Sequence, residues 1–180
     1  MKVCVVGSGG REHAFAATLS IGAEVVVTPG SAGIDGSTGK PATAVDADLY
    51  VIGPEVPLVN GLADELRASG RHVFGPGIDG ALLEASKAWM KDLVQAAGVP
   101  TARYASFDEN QAEEATEFLS TLCPPYVVKT DGLAAGKGVA ICNSKNEVIN
   151  LSNEIFSGKF KSSKKLVLEE FLEGEEASYF

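Results

Sequence analysis

The sequence predicts an α/β protein in two parts. The first half reads as a doubly wound parallel sheet of the Rossmann-like kind, the second as an α+β region built on a strand–loop–strand flap. Three observations carry this. The apolar run Val3–Val6 breaks into Gly7-Ser8-Gly9-Gly10 and leads into a helical stretch, as a strand buried on both faces does. Later apolar runs, Glu24 to Val27 and Asp48 to Ile52, end in Pro/Gly loops of the same type. Around YVVKTDGLAAGKGVA, residues 126–140, two short β-type runs flank a small-residue loop with Lys129 before it and Lys137 at its end.

Taken in order, the first strand, glycine turn and helix form the place where α/β folds bind phosphate, with backbone donors and the helix dipole aimed at the anion. The helix is expected from Ala14 to Ser20. A dinucleotide fingerprint would need glycine where Glu12 stands, and Thr28-Pro29 replaces the acid that would hold a ribose, so a smaller phosphorylated ligand fits better than NAD. Pro29-Gly30-Ser31-Ala32-Gly33 is a second candidate loop. Pro54 and Pro57 stiffen the backbone around Glu55, a carboxylate suited to a hydroxyl or amine; a rigid turn with a solvated acid is the alternative. Leu58 to Ser69 reads as one helix, His72–Phe74 as a short strand, and Ala81 to Ala97 as one or two helices.

A domain boundary is expected near Pro100 to Tyr104, giving domains 1–100 and 101–180. Ser106 and Glu109 suggest a capping box for a helix running to Ser120. In the flap, glycines allow backbone N–H groups to approach phosphate closely and lysines supply compact charge. The Walker pattern is absent, because Gly136-Lys137 is followed by Gly138. A tight hairpin with solvated lysines is the competing reading. The last strand, Leu166–Glu170, runs into Phe171-Leu172-Glu173-Gly174, where main chain near Glu170 and Leu172 could pair with adenine and a later carboxylate with ribose.

Composition sets limits. With 180 residues, 45% of them hydrophobic, the chain can bury a real core. A net charge of −9 argues against a nucleic-acid binder, and the apolar runs are too short to span a membrane. Cys4, Cys123 and Cys142 lack metal-ligand spacing and are expected to be buried, reduced thiols of a cytoplasmic protein. His13 and His72 lack the partners of a nucleophilic triad.

Seven stretches in order resemble the phosphoribosylamine–glycine ligase family, ATP-grasp enzymes of purine biosynthesis: VVGSGGREHA at 5–14, PGSAG at 29–33, VIGPEVPLVNGLAD at 51–64, FGP at 74–76, LEASKAWMKDL at 83–93, VVKTDGLAAGKGV at 127–139 and LEEFLEGEEAS at 168–178. The resemblance implies a pre-ATP-grasp domain followed by an incomplete ATP-grasp region. It implies ligation of glycine to 5-phosphoribosylamine with ATP, through glycyl phosphate. By position, Lys87, Lys129 and Lys137 would contact ATP phosphates, with Gly136 and Gly138 freeing the flap. Glu170 and Leu172 would hold adenine through main chain with Phe171 and Val127 beside the ring, Glu176 would take the ribose, and Glu169 would belong to the same ATP site. Gly9, Gly10, Arg11, Glu12, Pro29, Gly30, Pro54 and Glu55 would line the phosphoribosylamine site. The Mg²⁺ ligands and much of the glycine site are expected beyond position 180, so these residues alone should not catalyse. A non-catalytic nucleotide- or sugar-phosphate-binding module is the alternative function.

Overall fold

The computed structural model describes residues 1–133, 138–158 and 165–179. They divide into two compact units, Met1–Leu82 and Leu83–Phe180. The division falls ahead of the expected boundary at Pro100–Tyr104. The physical reason is that residues 86–91 bond to residues 101, 131, 132 and 169, so the helix that carries them belongs to the second unit.

The first unit contains β1 (Lys2–Gly7), α1 (Gly10–Leu19), β2 (Glu24–Pro29), β3 (Leu49–Ile52), α2 (Glu55–Val59), α3 (Leu62–Ala68) and β4 (Val73–Phe74), followed by α4 (Ile78–Ala85), within which the division falls. All four strands are parallel, in the order β2-β1-β3-β4. Alternate residues of β1 serve opposite faces. Val3 and Val5 pack with Ala16 of α1 and with Val27 and Val51. Cys4 and Val6 pack with Leu58, Ala63 and Leu66 of α2 and α3. The sheet is therefore covered on both faces and doubly wound, as predicted. The chain leaves β1 in one direction for β2 and in the other for β3, so the carboxyl ends of β1 and β3 mark the switch point where such sheets bind ligands.

Two element boundaries differ from expectation here. Helix α1 starts at Gly10, four residues early, because the Glu12 carboxylate accepts the Gly9 N–H at 2.8 Å and so stabilises an earlier first turn. The stretch expected as one helix splits into α2 and α3 because Gly61 adopts φ +85°, which ends the first.

The second unit contains α5 (Lys87–Ala96), β5 (Tyr104–Phe107), α6 (Ala112–Ser120), β6 (Tyr126–Thr130), β7 (Val139–Cys142), α7 (Lys145–Phe156) and β8 (Leu166–Glu170). Its sheet is antiparallel, in the order β5-β8-β6-β7. One face is closed by α6 and α7: Leu119, Val148 and Ile155 pack on Tyr126, Val128, Leu166 and Leu168. Fully burying such a side chain contributes roughly 1.5–3 kcal/mol. Ser106 is not a helix cap. It pairs with Val167 inside β5, and Asp108 turns the chain instead, its carboxylate accepting Asn110 N–H at 2.9 Å. Of the cysteines, Cys4 and Cys142 are buried, but Cys123 is exposed, because its neighbour Leu122 takes the core position in that turn. Burial pushes the Cys4 thiol up to about 11, which keeps it protonated and inert.

Candidate functional site

In the first unit the candidate residues gather where β1 and β3 end. Glu12 is only 4% exposed. Its side chain fills the space beside Gly7 and Gly53, the residues that close β1 and follow β3; a Cβ at either would collide with it. One carboxylate oxygen accepts the Gly9 N–H at 2.8 Å and the other accepts Arg11 Nε at 3.2 Å. Glu12 thus shapes the turn, and both its oxygens are already engaged within the chain. The position where a dinucleotide fingerprint carries glycine is here a buried structural acid.

Arg11 joins this turn to the next loop. Its Nη1 donates to Glu55 Oε1 at 3.1 Å. Glu55 opens α2 after Pro54, and its own backbone N–H, then Arg11, holds its carboxyl below the usual range; the same pair raises the Arg11 guanidinium. Beside them, Gly30 takes φ +64° and donates its N–H to Gly7 O at 3.0 Å, which ties the Pro29-Gly30 loop to the end of β1. Residues 36–38 fold back along β2, with Val27 N–H donating to Gly36 O at 2.9 Å and Thr38 N–H to Val27 O at 2.8 Å. Arg11, Glu55, Pro29 and Gly30 are therefore set around the ends of neighbouring strands, at the first turn of α1, whose N–H groups have no partner inside the helix. Such a turn favours an anion.

In the second unit the face of the sheet opposite α6 and α7 carries Val127 and Lys129 of β6, Val139 and Ile141 of β7, and Val167 and Glu169 of β8. Val139 and Ile141 are more than half exposed. The strand register puts Lys129 diagonal to Glu169, and Lys129 Nζ donates to Glu169 Oε2 at 2.8 Å. Lys91 Nζ reaches the same oxygen at 3.0 Å. The root of the flap is stitched to α5. Asp131 accepts the Ser86 hydroxyl at 3.1 Å and the Ala88 N–H at 3.2 Å, while Lys87 Nζ donates to Gly132 O at 2.9 Å. Burial is the main force lowering the Lys87 amine, opposed by Asp131 and helped by Lys129. At the far side of the flap, Gly138 O accepts the Thr130 N–H at 2.8 Å. Gly136 and Lys137 lie outside the described residues.

Beyond β8, Glu170 is tied to Arg103: Arg103 N–H donates to its carboxylate at 2.8 Å, and its own N–H donates to Arg103 O at 3.0 Å. The first of these bonds is the chief cause of its lowered carboxyl. Phe171, Leu172 and Glu176 follow as exposed chain. Lys87, Lys129 and Glu169 are thus brought together, whereas among the described residues no hydrogen bond or ion pair joins Glu176 to them. Sequence reasoning missed Lys91, Asp131, Ser86 and Arg103. Lys91 stands four residues after Lys87, one helical turn on, which was the available signal; nothing local marked Arg103. Among the described residues no group of three or more His, Cys, Asp or Glu is placed to hold a metal ion. No helix of the described residues is long and apolar enough to cross a membrane.

A parallel-sheet unit followed by this antiparallel, lysine-bearing sheet is the arrangement of the ATP-grasp proteins. Over 97% of the chain it superposes on a D-alanine–D-alanine ligase from Bacillus anthracis with TM-score 0.73 at 18% identity, covering 58% of that chain, which speaks for the fold alone. Nearer likeness narrows this. Residues 1–84 match the model of the phosphoribosylglycinamide synthetase N domain and residues 85–180 that of its ATP-grasp (A) domain. The chain belongs to the phosphoribosylglycinamide synthetase family. It is 42% identical to a phosphoribosylamine–glycine ligase from Brucella melitensis, over 100% of this chain and 46% of the relative, and 44% identical to one from Synechocystis, over 99% and 46%. The crystal structure of the ligase from Thermotoga maritima matches 97% of this chain and 45% of that one, with TM-score 0.77 at 34% identity. The chain spans about half the length of the curated relatives it matches.

Proposed function

We propose that this chain supplies the amino-terminal half of a phosphoribosylamine–glycine ligase, a carbon–nitrogen ligase that joins glycine to 5-phosphoribosylamine at the expense of ATP. The observation that carries the reading is the open face of the second sheet. An exposed apolar shelf, Val139 and Ile141, lies beside Val127 and ends at Lys129 and Glu169. An adenine ring suits the shelf, and Lys129 with Lys87 suits the phosphates. Lys137 would add a further phosphate contact, with Gly136 and Gly138 freeing the flap, and main chain at Glu170 and Leu172, with Phe171 alongside and Glu176 beyond, would grip the base and ribose. In the first unit the α1 turn at Gly9, Gly10 and Arg11, with Pro29, Gly30, Pro54 and Glu55, would take phosphoribosylamine.

On this reading the chain's residues do not attack anything. Glycine carboxylate attacks the γ-phosphorus of ATP and ADP leaves. The amine of phosphoribosylamine then attacks the acyl carbon and phosphate leaves. The lysines spread the phosphate charge and the loops hold the amine in place, which is where such reactions gain rate. Mg²⁺, when bound, would neutralise further charge on the phosphates, and its ligands would lie outside the residues described. Cytoplasmic location accords with the unpaired, buried thiols of Cys4 and Cys142.

The test begins with ATP titrated calorimetrically into the 180-residue chain and its Lys129→Met variant. Binding that the substitution weakens about tenfold supports the nucleotide half. The chain joined to the remaining part of the Brucella relative should then turn over ATP to ADP and phosphate in the steady state only when glycine and phosphoribosylamine are both present. Steady-state turnover indifferent to phosphoribosylamine would overturn the assignment.

A further inference from the structure

Glu169 receives two ammonium groups on one oxygen. Oε2 lies 2.8 Å from Lys129 Nζ and 3.0 Å from Lys91 Nζ. Oε1 is buried and takes no hydrogen bond from the described residues. The two lysines are held very differently. The Lys91 side chain is 5% exposed, donates also to Thr101 Oγ1 at 2.7 Å and lies 5.4 Å from the centre of the Tyr104 ring. That ring is itself fixed, since the Tyr104 hydroxyl bonds to Asp92 at 2.8 Å and to Gln95 at 3.0 Å. The Lys129 side chain is 24% exposed, and among the described residues Glu169 is its one hydrogen-bonding partner.

One lysine is therefore locked and the other can swing. We propose that Lys91 is a positioning residue: a permanent counter-ion for Glu169 that allows Lys129 to leave the carboxylate for an anionic ligand. The inference rests on the reading of Lys129 as a phosphate-binding lysine. With Lys129 as sole partner, its departure would leave a buried carboxylate uncompensated, and that cost would be charged against ligand affinity. With Lys91 in place the carboxylate keeps an ammonium throughout. Lys91 so governs nucleotide affinity without touching nucleotide.

Calorimetric titration with ATP tests this in the 180-residue chain. Lys91→Met should weaken ATP at least tenfold. Adding Glu169→Gln should recover most of that loss, because no charged group then restrains Lys129; a merely structural lysine would not be rescued this way. Unchanged affinity in Lys91→Met, or a loss that Glu169→Gln does not recover, overturns the proposal. If Lys91→Met does not fold, the Glu169→Gln chain with and without Lys91→Met decides: equal affinity upholds the proposal and a further loss overturns it. If the unsubstituted chain does not bind ATP, the nucleotide reading fails by itself. Urea denaturation then settles the sharing of Glu169, since Lys129→Met must lower the midpoint more in the Lys91→Met background than in the unsubstituted one. An equal drop in both overturns the role of Lys91.

Discussion

Glu12 in the first unit and Glu169 in the second are buried to nearly the same degree, at 4% and 3% exposed, yet they are satisfied in opposite ways. Glu12 spends one oxygen on a backbone N–H and the other on Arg11, and its stem is pressed against two glycines. Glu169 places two lysines on one oxygen and leaves the other without a partner among the described residues. The first arrangement ties both oxygens into the chain and shapes a turn. The second holds a mobile cation beside an open apolar shelf. A buried acid is thus scaffold when a backbone N–H and close-packed glycines hold it, and part of a site when a lysine partner can leave.

Substitutions can break this contrast. Glu169→Ala should cost the most, about 3–5 kcal/mol of unfolding free energy by urea denaturation, because it strands the buried Lys91 ammonium. Next, Gly7→Ala should cost about 3 kcal/mol, since Gly7 has φ +136° and the added Cβ would strike Glu12. Glu12→Gln keeps the shape and weakens two charge-assisted bonds, so about 2 kcal/mol is expected, with earlier amide exchange at Gly9. Lys129→Met should lower stability by less than about 1 kcal/mol, because Glu169 retains Lys91, while its effect falls on ATP affinity.

The smallest effect is expected at the exposed pair Arg11–Glu55. The Glu55 carboxyl is lowered in the fold below its ordinary value of 4.5. Its contribution is therefore present above the unfolded value and lost as pH falls through the folded one. Screening limits it to less than about 1 kcal/mol. Glu55→Gln should accordingly lower the urea midpoint slightly at neutral pH and by progressively less as the pH falls below 4.5. An effect that does not change with pH would show that the carboxylate charge is irrelevant there.

Much of this was legible in the residues. Apolar runs closing in glycine turns gave the parallel sheet and placed Arg11, Pro29, Gly30 and Glu55 at strand ends, because strand periodicity and turn chemistry are local. Lys129 and Glu169 were likewise visible as candidates. What was not visible was long-range. Lys91 meets Glu169 only because β5, β8 and β6 pair in that order, and the helix that carries Lys91 is held to the flap root by Asp131.

By itself the sequence determined most of the strands and helices and the family to which the chain belongs, since these follow from short-range pattern and ordered motifs. Tertiary structure alone decided that Glu12 is walled in by Gly7 and Gly53, that Ser106 pairs in a sheet instead of capping a helix, and that one glutamate oxygen serves two lysines. The reason is that burial and partnership depend on which distant residues the folded chain brings within a few ångströms, and no local propensity encodes that distance.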